Sequence, residues 1–156
     1  MGIPMNIVIR SAQHGDRDAM VALLDALFSI EADFTVDKER QHRGLTLMLD
    51  GCRKHTCVKV AVVDENVVGM GTAQTLISTA EGGLVAMIED MMVAAPYRKM
   101  GIGRMLMSAI EKWARDRGVT RLHLLADRAN VSALDFYDRI GWQPTQLICL
   151  RRKWDL

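Results

Sequence analysis

The chain has 156 residues, with 20 Lys plus Arg against 19 Asp plus Glu, 49% hydrophobic and 25% charged residues. That length and composition exclude a disordered chain and fit one globular domain over residues 1–156. A net charge of +1 leaves no excess to drive sequence-blind binding, so neither a nucleic-acid nor a membrane partner is expected. The three cysteines, Cys52, Cys57 and Cys149, are an odd number in a chain long enough to stabilise itself by burial, which argues against a disulfide framework and for a reducing cytoplasm. The apolar run from Ile3 to Ile9 is short, is interrupted by Asn6 and has no small-residue cleavage site after it. Asn6 also stands where a myristoylation signal needs Ser or Thr.

In chain order, Ile7-Val8-Ile9 predicts a first strand and Asp16 an N-cap. Met20, Leu23, Leu24, Leu27 and Phe28 follow at helical spacing. A looser helical segment runs from about Asp37 to Leu49, burying Leu45, Met48 and Leu49 and stopping at Gly51. Val58–Val63 and Val67–Ile77 are rich in β-branched residues, and Asp64-Glu65-Asn66 between them supplies turn chemistry, so they predict a hairpin. Glu81-Gly82-Gly83 makes a further turn into a long strand, Leu84–Val93, which completes an antiparallel meander.

Pro96 ends that strand, and Ile102, Met105, Leu106, Ala109, Ile110 and Trp113 trace the strongest helix, closed by Gly118. Leu122–Ala126 then reads as a short apolar strand parallel to the one before the helix, giving one βαβ unit. Asn130 caps a last helix carrying Val131, Leu134, Tyr137 and Ile140, Gly141 stops it, and Leu147–Leu150 offers a closing strand. The order of elements predicts an α/β fold with a mixed, mostly antiparallel central sheet flanked by helices.

The most informative stretch is Tyr97-Arg98-Lys99-Met100-Gly101-Ile102-Gly103-Arg104, a loop running from a strand into the strong helix. A helix start presents unpaired N–H groups and a positive dipole end, and glycines let a phosphate approach the backbone. Arg98, Lys99 and Arg104 add positive charge around the same anion. The plain alternative is a glycine turn that only starts a helix. A dinucleotide fingerprint fails because Leu106 stands where its third glycine belongs, and a Walker loop fails because no Gly-Lys occurs.

The pattern Arg98-x-x-Gly101-x-Gly103 resembles the acetyl-CoA loop of the GCN5-related N-acetyltransferases (GNAT), Arg/Gln-x-x-Gly-x-Gly/Ala. The resemblance extends to Ile88-Glu89-Asp90-Met91-Met92-Val93, similar to the family's fourth strand, and to Asn130–Trp142 with Phe136-Tyr137 and Ile140-Gly141-Trp142. Lys99 and Met100 stand where many members have Gly and Lys. The resemblance implies a GNAT-like fold. It also implies transfer of an acetyl group from acetyl-CoA, as co-substrate, to an amine acceptor in a ternary complex. For the cofactor it implies contacts at Met91, Met92 and Val93, through their backbone, and at Arg98, Lys99, Met100, Gly101, Ile102, Gly103 and Arg104, with Asn130, Ala133 and Tyr137 from the later segment.

The reaction needs the amine deprotonated before it attacks the thioester, so a carboxylate belongs near it. The resemblance gives that general base as Glu89. Strand alternation should turn Asp90 to the opposite face. Tyr137 matches the family's general acid for the leaving thiolate, although its place on an apolar stripe with Leu134 and Ile140 also fits a packed tyrosine. Glu31 and Asp33 follow the first helix, where the family commonly builds an acceptor wall, and could with Glu89 hold a cationic amine.

No metal is expected: Cys52, His55 and Cys57 have no second cluster, and neither H-E-x-x-H nor G-x-S-x-G occurs. Homodimers are common in such a family, and open sheet edges could pair two copies. Three readings stay open from sequence: a small-molecule N-acetyltransferase, a protein or peptide N-acetyltransferase, and a non-catalytic acyl-CoA-binding module.

Overall fold

The computed structural model describes residues 5–31 and 33–155. These fall into two compact units, residues 1–124 and 125–156. The first holds β1 (Ile7–Ser11), α1 (Arg17–Ile30), α2 (Lys38–Asp50), β2 (Thr56–Val63), β3 (Asn66–Ser78), β4 (Gly83–Val93), α3 (Ile102–Arg115) and β5 (Leu122–Leu124). The strands form one sheet in the order β1-β2-β3-β4-β5, antiparallel throughout except for the parallel pair β4 and β5. The predicted α/β architecture, with its β4-α3-β5 unit, is what the chain adopts.

Both faces of the sheet are covered. Met20, Leu24 and Leu27 of α1 and Leu45 of α2 bury against Val58, Val60, Met70 and Met92. On the other face Ile102 and Leu106 of α3 pack with Ala61, Val63 and Val68. The stripe read from α3 is that buried face, except for Met105, which is 38% exposed. α3 approaches the sheet closely because β3 offers glycines beneath it: a Cβ on Gly71 would stand 2.7 Å from Ile110 Cδ1, closer than atoms pack.

Two expectations are corrected and one refined. Asp16 stands at the N-cap position of α1, as predicted, but its side chain makes no capping bond there. Its carboxylate instead accepts a two-pronged bond from the Arg10 guanidinium, at 2.7 and 2.9 Å, and one from the Gln13 N–H. That ion pair holds the Asp16 carboxyl below its usual range. The strand expected to reach Ala126 stops at Leu124, and Leu125 is 59% exposed. The closing strand over Leu147–Leu150 is not present among the described residues, where Leu147, Ile148 and Leu150 are exposed. An apolar run makes a strand only where another backbone pairs with it, and sequence carries no information on that partner.

The second unit holds α4 (Val131–Arg139). Its N-cap is Asn130, as predicted, with the side-chain oxygen accepting from the Ala133 N–H at 3.1 Å. Gly141 follows with φ of 91°, a left-handed stop that glycine takes without strain.

Candidate active site

β5 pairs with β4 only at Ala86, Met87 and Ile88. From Glu89 to Val93, β4 is therefore bound to β3 on one side and, among the described residues, pairs with no strand on its other edge. An open strand edge presents alternate N–H and C=O groups that a ligand's amides can join like an added strand. Met92 is buried and Met91 and Val93 are partly buried against the core, so what these three offer a ligand is backbone.

At the start of that edge the β4 register slips. Gly71 faces Met91 and Ala73 faces Ile88, so the single residue Thr72 opposes both Glu89 and Asp90. This two-for-one bulge breaks the alternation that was to send Asp90 away from Glu89. Asp90 accepts a hydrogen bond from the Thr72 hydroxyl at 2.9 Å on its Oδ2. Thr72 lies two residues from Met70 on β3, hence on the face covered by α1 and α2. Burial, reinforced by the charge of Glu89, pushes the Asp90 carboxyl up to about 6 despite the Thr72 bond. Glu89 itself is exposed. The result is one exposed carboxyl side chain beside one that burial raises to about 6. No local sequence signal announces a bulge, so Thr72 and Asp90 were not separable from ordinary strand residues.

After β4 a short turn, Ala95–Tyr97, leads to Arg98, whose Nε donates to the Val93 carbonyl at 2.9 Å. Arg98 therefore ties the loop to the open end of β4 as well as carrying charge. Lys99 has φ of 64°, left-handed backbone that costs a non-glycine residue about 1 kcal/mol. Gly101, the N-cap of α3, has φ of 81° and no atom within 4 Å of where a Cβ would stand, which leaves room above the helix end. Ile102 is buried in the core, so only its backbone faces a ligand.

The first-turn N–H groups of α3 have no intrahelical acceptors. Lys99 and Arg104 are exposed and enter no salt bridge among the described residues. Helix end, glycine and cations together make a cradle for a phosphate or pyrophosphate. If this cradle takes the pyrophosphate of acetyl-CoA, Arg104→Ala should weaken acetyl-CoA binding about tenfold, with kcat little changed. Calorimetric titration with acetyl-CoA checks this, and an unchanged Kd places the phosphates elsewhere.

In the second unit, Tyr137 is half-buried on α4, edge-on to Phe136 with ring centroids 5.3 Å apart and tilted against Trp142 at 6.2 Å. The Ala133 N–H is already used by the Asn130 cap. Glu31 is the C-cap residue of α1 and Asp33 lies in the exposed connection to α2, where Phe28 and Phe34 stack at 5.0 Å. Cys52, His55 and Cys57 do not converge: the Cys57 thiol is buried and pushed up to about 11 by that burial, and His55 Nδ1 bonds Thr75 Oγ1 at 2.8 Å. Among the described residues no cluster of three or more His, Cys, Asp or Glu is placed to hold a metal ion.

A family model described as "Acetyltransferase (GNAT) family" matches residues 21–142. Among curated proteins the chain is 39% identical over 56 residues to an L-ornithine N5-acetyltransferase of Arabidopsis thaliana, covering 36% of this chain and 25% of that one. It is 30% identical over 83 residues to a thialysine N-epsilon-acetyltransferase of Caenorhabditis elegans, covering 53% and 51%. The chain thus spans about half or less of the length of these relatives. Among solved structures, an aminoglycoside N-acetyltransferase in complex with CoA superposes with a TM-score of 0.82 at 17% identity, covering 97% of this chain and 98% of that one. That likeness concerns the fold.

Proposed function

Because the chain belongs to the GNAT acetyltransferase family, whose model matches residues 21–142, we propose that it transfers an acetyl group from acetyl-CoA to a primary amine of a small molecule. The observation that carries this is the run from the open edge of β4 at Glu89–Val93 to the phosphate cradle at Gly101. The same family model runs across the boundary at residue 124, which supports reading both units as one acetyltransferase domain.

In this reading the pyrophosphate of acetyl-CoA sits on the N-terminus of α3 with Arg98, Lys99 and Arg104, and its pantetheine arm lies along β4. The acceptor amine gives up a proton to Glu89, directly or through water, and its lone pair attacks the thioester carbonyl. A backbone N–H near Met91–Val93 stabilises the tetrahedral oxyanion. Collapse breaks the C–S bond, Tyr137 donates a proton to the CoA thiolate, and the nitrogen's second proton leaves to solvent, from which Tyr137 is reprotonated. Two adjacent carboxylates, Glu89 and Asp90, favour an acceptor that arrives as a cation, hence a small ammonium-bearing molecule over an acyl chain or an anion. Glu31 and Asp33 extend that acidic wall. Three free cysteines support a reducing cytoplasm, and the sheet's edge strands, β1 and β5, support pairing of two copies.

The test is CoA release from acetyl-CoA against a panel of amino acids with side-chain amines, polyamines, aminoglycosides and peptides. Turnover confined to peptides assigns a peptide acetyltransferase, and acetyl-CoA binding without turnover on any acceptor assigns a sensor module. Tyr137→Phe should lower kcat by about tenfold or more while leaving the Kd for acetyl-CoA unchanged. An equal kcat removes Tyr137 as the acid.

A further inference from the structure

A cavity separate from the candidate active site lies towards the other end of α3. It has a volume of about 430 Å³ and opens where β1 has ended, between the first residues of β2 and the C-terminal ends of α2 and α3. The cavity's lining on α3 begins at Ala109, eight residues from the Gly101 N-cap, so at 1.5 Å per residue it starts about 12 Å from the phosphate cradle. The two share no lining residue.

The cavity's charge is one-sided. Arg53, Lys59, Lys112 and Arg117 line it, against the single carboxylate of Asp116. Asp116 is committed to Lys112 at 2.7 Å. No salt bridge among the described residues involves Arg53, Lys59 or Arg117. Four cations against one carboxylate leave the concave space with a net positive charge, an arrangement that repels itself until an anion enters.

Two of these cations are also held in place. Lys59 Nζ donates to Ser11 Oγ at 3.0 Å. Arg117 donates through Nη1 to the Trp113 carbonyl and through Nη2 to the Arg53 carbonyl, both at 3.0 Å, and its guanidinium lies 4.8 Å from the centre of the Trp113 ring. Its Nε is buried and has no acceptor among the described residues.

The dipole of α3 explains some of this charge, because cations at a helix C-terminus compensate its carbonyls, as Arg117 does at Trp113. It does not explain Arg53 or Lys59, which arrive from the segment after α2 and from β2. The volume is within the range of small-molecule sites, and Trp113, Met48 and Leu49 give it an apolar wall. We propose that this cavity binds a compact organic polyanion, one carrying a phosphate group or two or more carboxylates, independently of acetyl-CoA.

The test is calorimetric titration of the full chain, saturated with CoA so that the cradle is filled, using inorganic pyrophosphate and citrate as the two probes. Saturable binding of at least one is expected, and which one separates phosphate from polycarboxylate recognition. The Arg53→Ala/Lys59→Ala variant should weaken it about tenfold or more while CoA binding, which also reports folding, is kept. Should that variant lose CoA binding as well, Lys59→Gln alone must still weaken the probe severalfold. The proposal is overturned by the absence of saturable heat up to about 10 mM, by binding that CoA abolishes, or by affinities that the variants leave unchanged.

Discussion

Glu89→Gln is expected to lower kcat/KM for the amine acceptor by about a hundredfold and to flatten the acidic limb of its pH–rate profile, with acetyl-CoA affinity retained. The amide keeps the shape and hydrogen-bonding capacity of the side chain and removes only its ability to take a proton. Asp90 makes the measurement decisive, because a second carboxyl with a value of about 6 sits next to Glu89 at the bulge. If Asp90 takes the amine's proton, the limb survives in Glu89→Gln. Its midpoint then moves down, because the charge of Glu89 is one of the causes that raise Asp90. A flattened limb assigns the proton to Glu89, and a surviving, down-shifted limb assigns it to Asp90.

The contrast between those two carboxylates shows where a sequence stops being informative. α3 is legible because its apolar residues recur at helical spacing and glycines bracket it, and each of those features is local. The meander is legible for the same reason, with turn chemistry at Asp64–Asn66 and Gly82–Gly83 separating β-branched runs. The phosphate cradle follows from a motif whose mechanics are local too: Gly101 takes a left-handed φ at the helix start. What the sequence hides is relational. The bulge depends on how β4 pairs with β3, and neither strand's pattern encodes the slip at Thr72. Asp16 looks like a cap until Arg10, six residues away, takes its carboxylate. The cationic cavity gathers Arg53, Lys59 and Arg117 from three places in the chain, and no spacing brings them together in advance.

Asp90→Asn should stabilise the protein at neutral pH. The Asp90 carboxyl moves from its usual 3.8 to about 6 on folding, so the folded state holds this proton more tightly than the unfolded chain does. The stability this contributes is fully present below pH 3.8 and is lost as the pH rises through about 6. At about pH 7.5 the wild type must therefore carry a half-buried carboxylate that folding disfavours, at a cost of up to about 3 kcal/mol, from 1.36 kcal/mol per pKa unit.

Asparagine has no charge to desolvate and can still accept the Thr72 hydroxyl, so the variant should be more stable than wild type by about 2 kcal/mol at that pH, with the difference closing towards pH 4. Denaturant unfolding of both proteins at the two pH values reads this directly, and a difference that does not change with pH would place the Asp90 carboxyl outside the desolvated pocket that the bulge creates. A carboxylate kept at that cost next to the open edge of β4 fits a group that meets a cation during the reaction. In that case the amine acceptor, once bound, should stabilise wild type more than Asp90→Asn and narrow the gap between them at neutral pH.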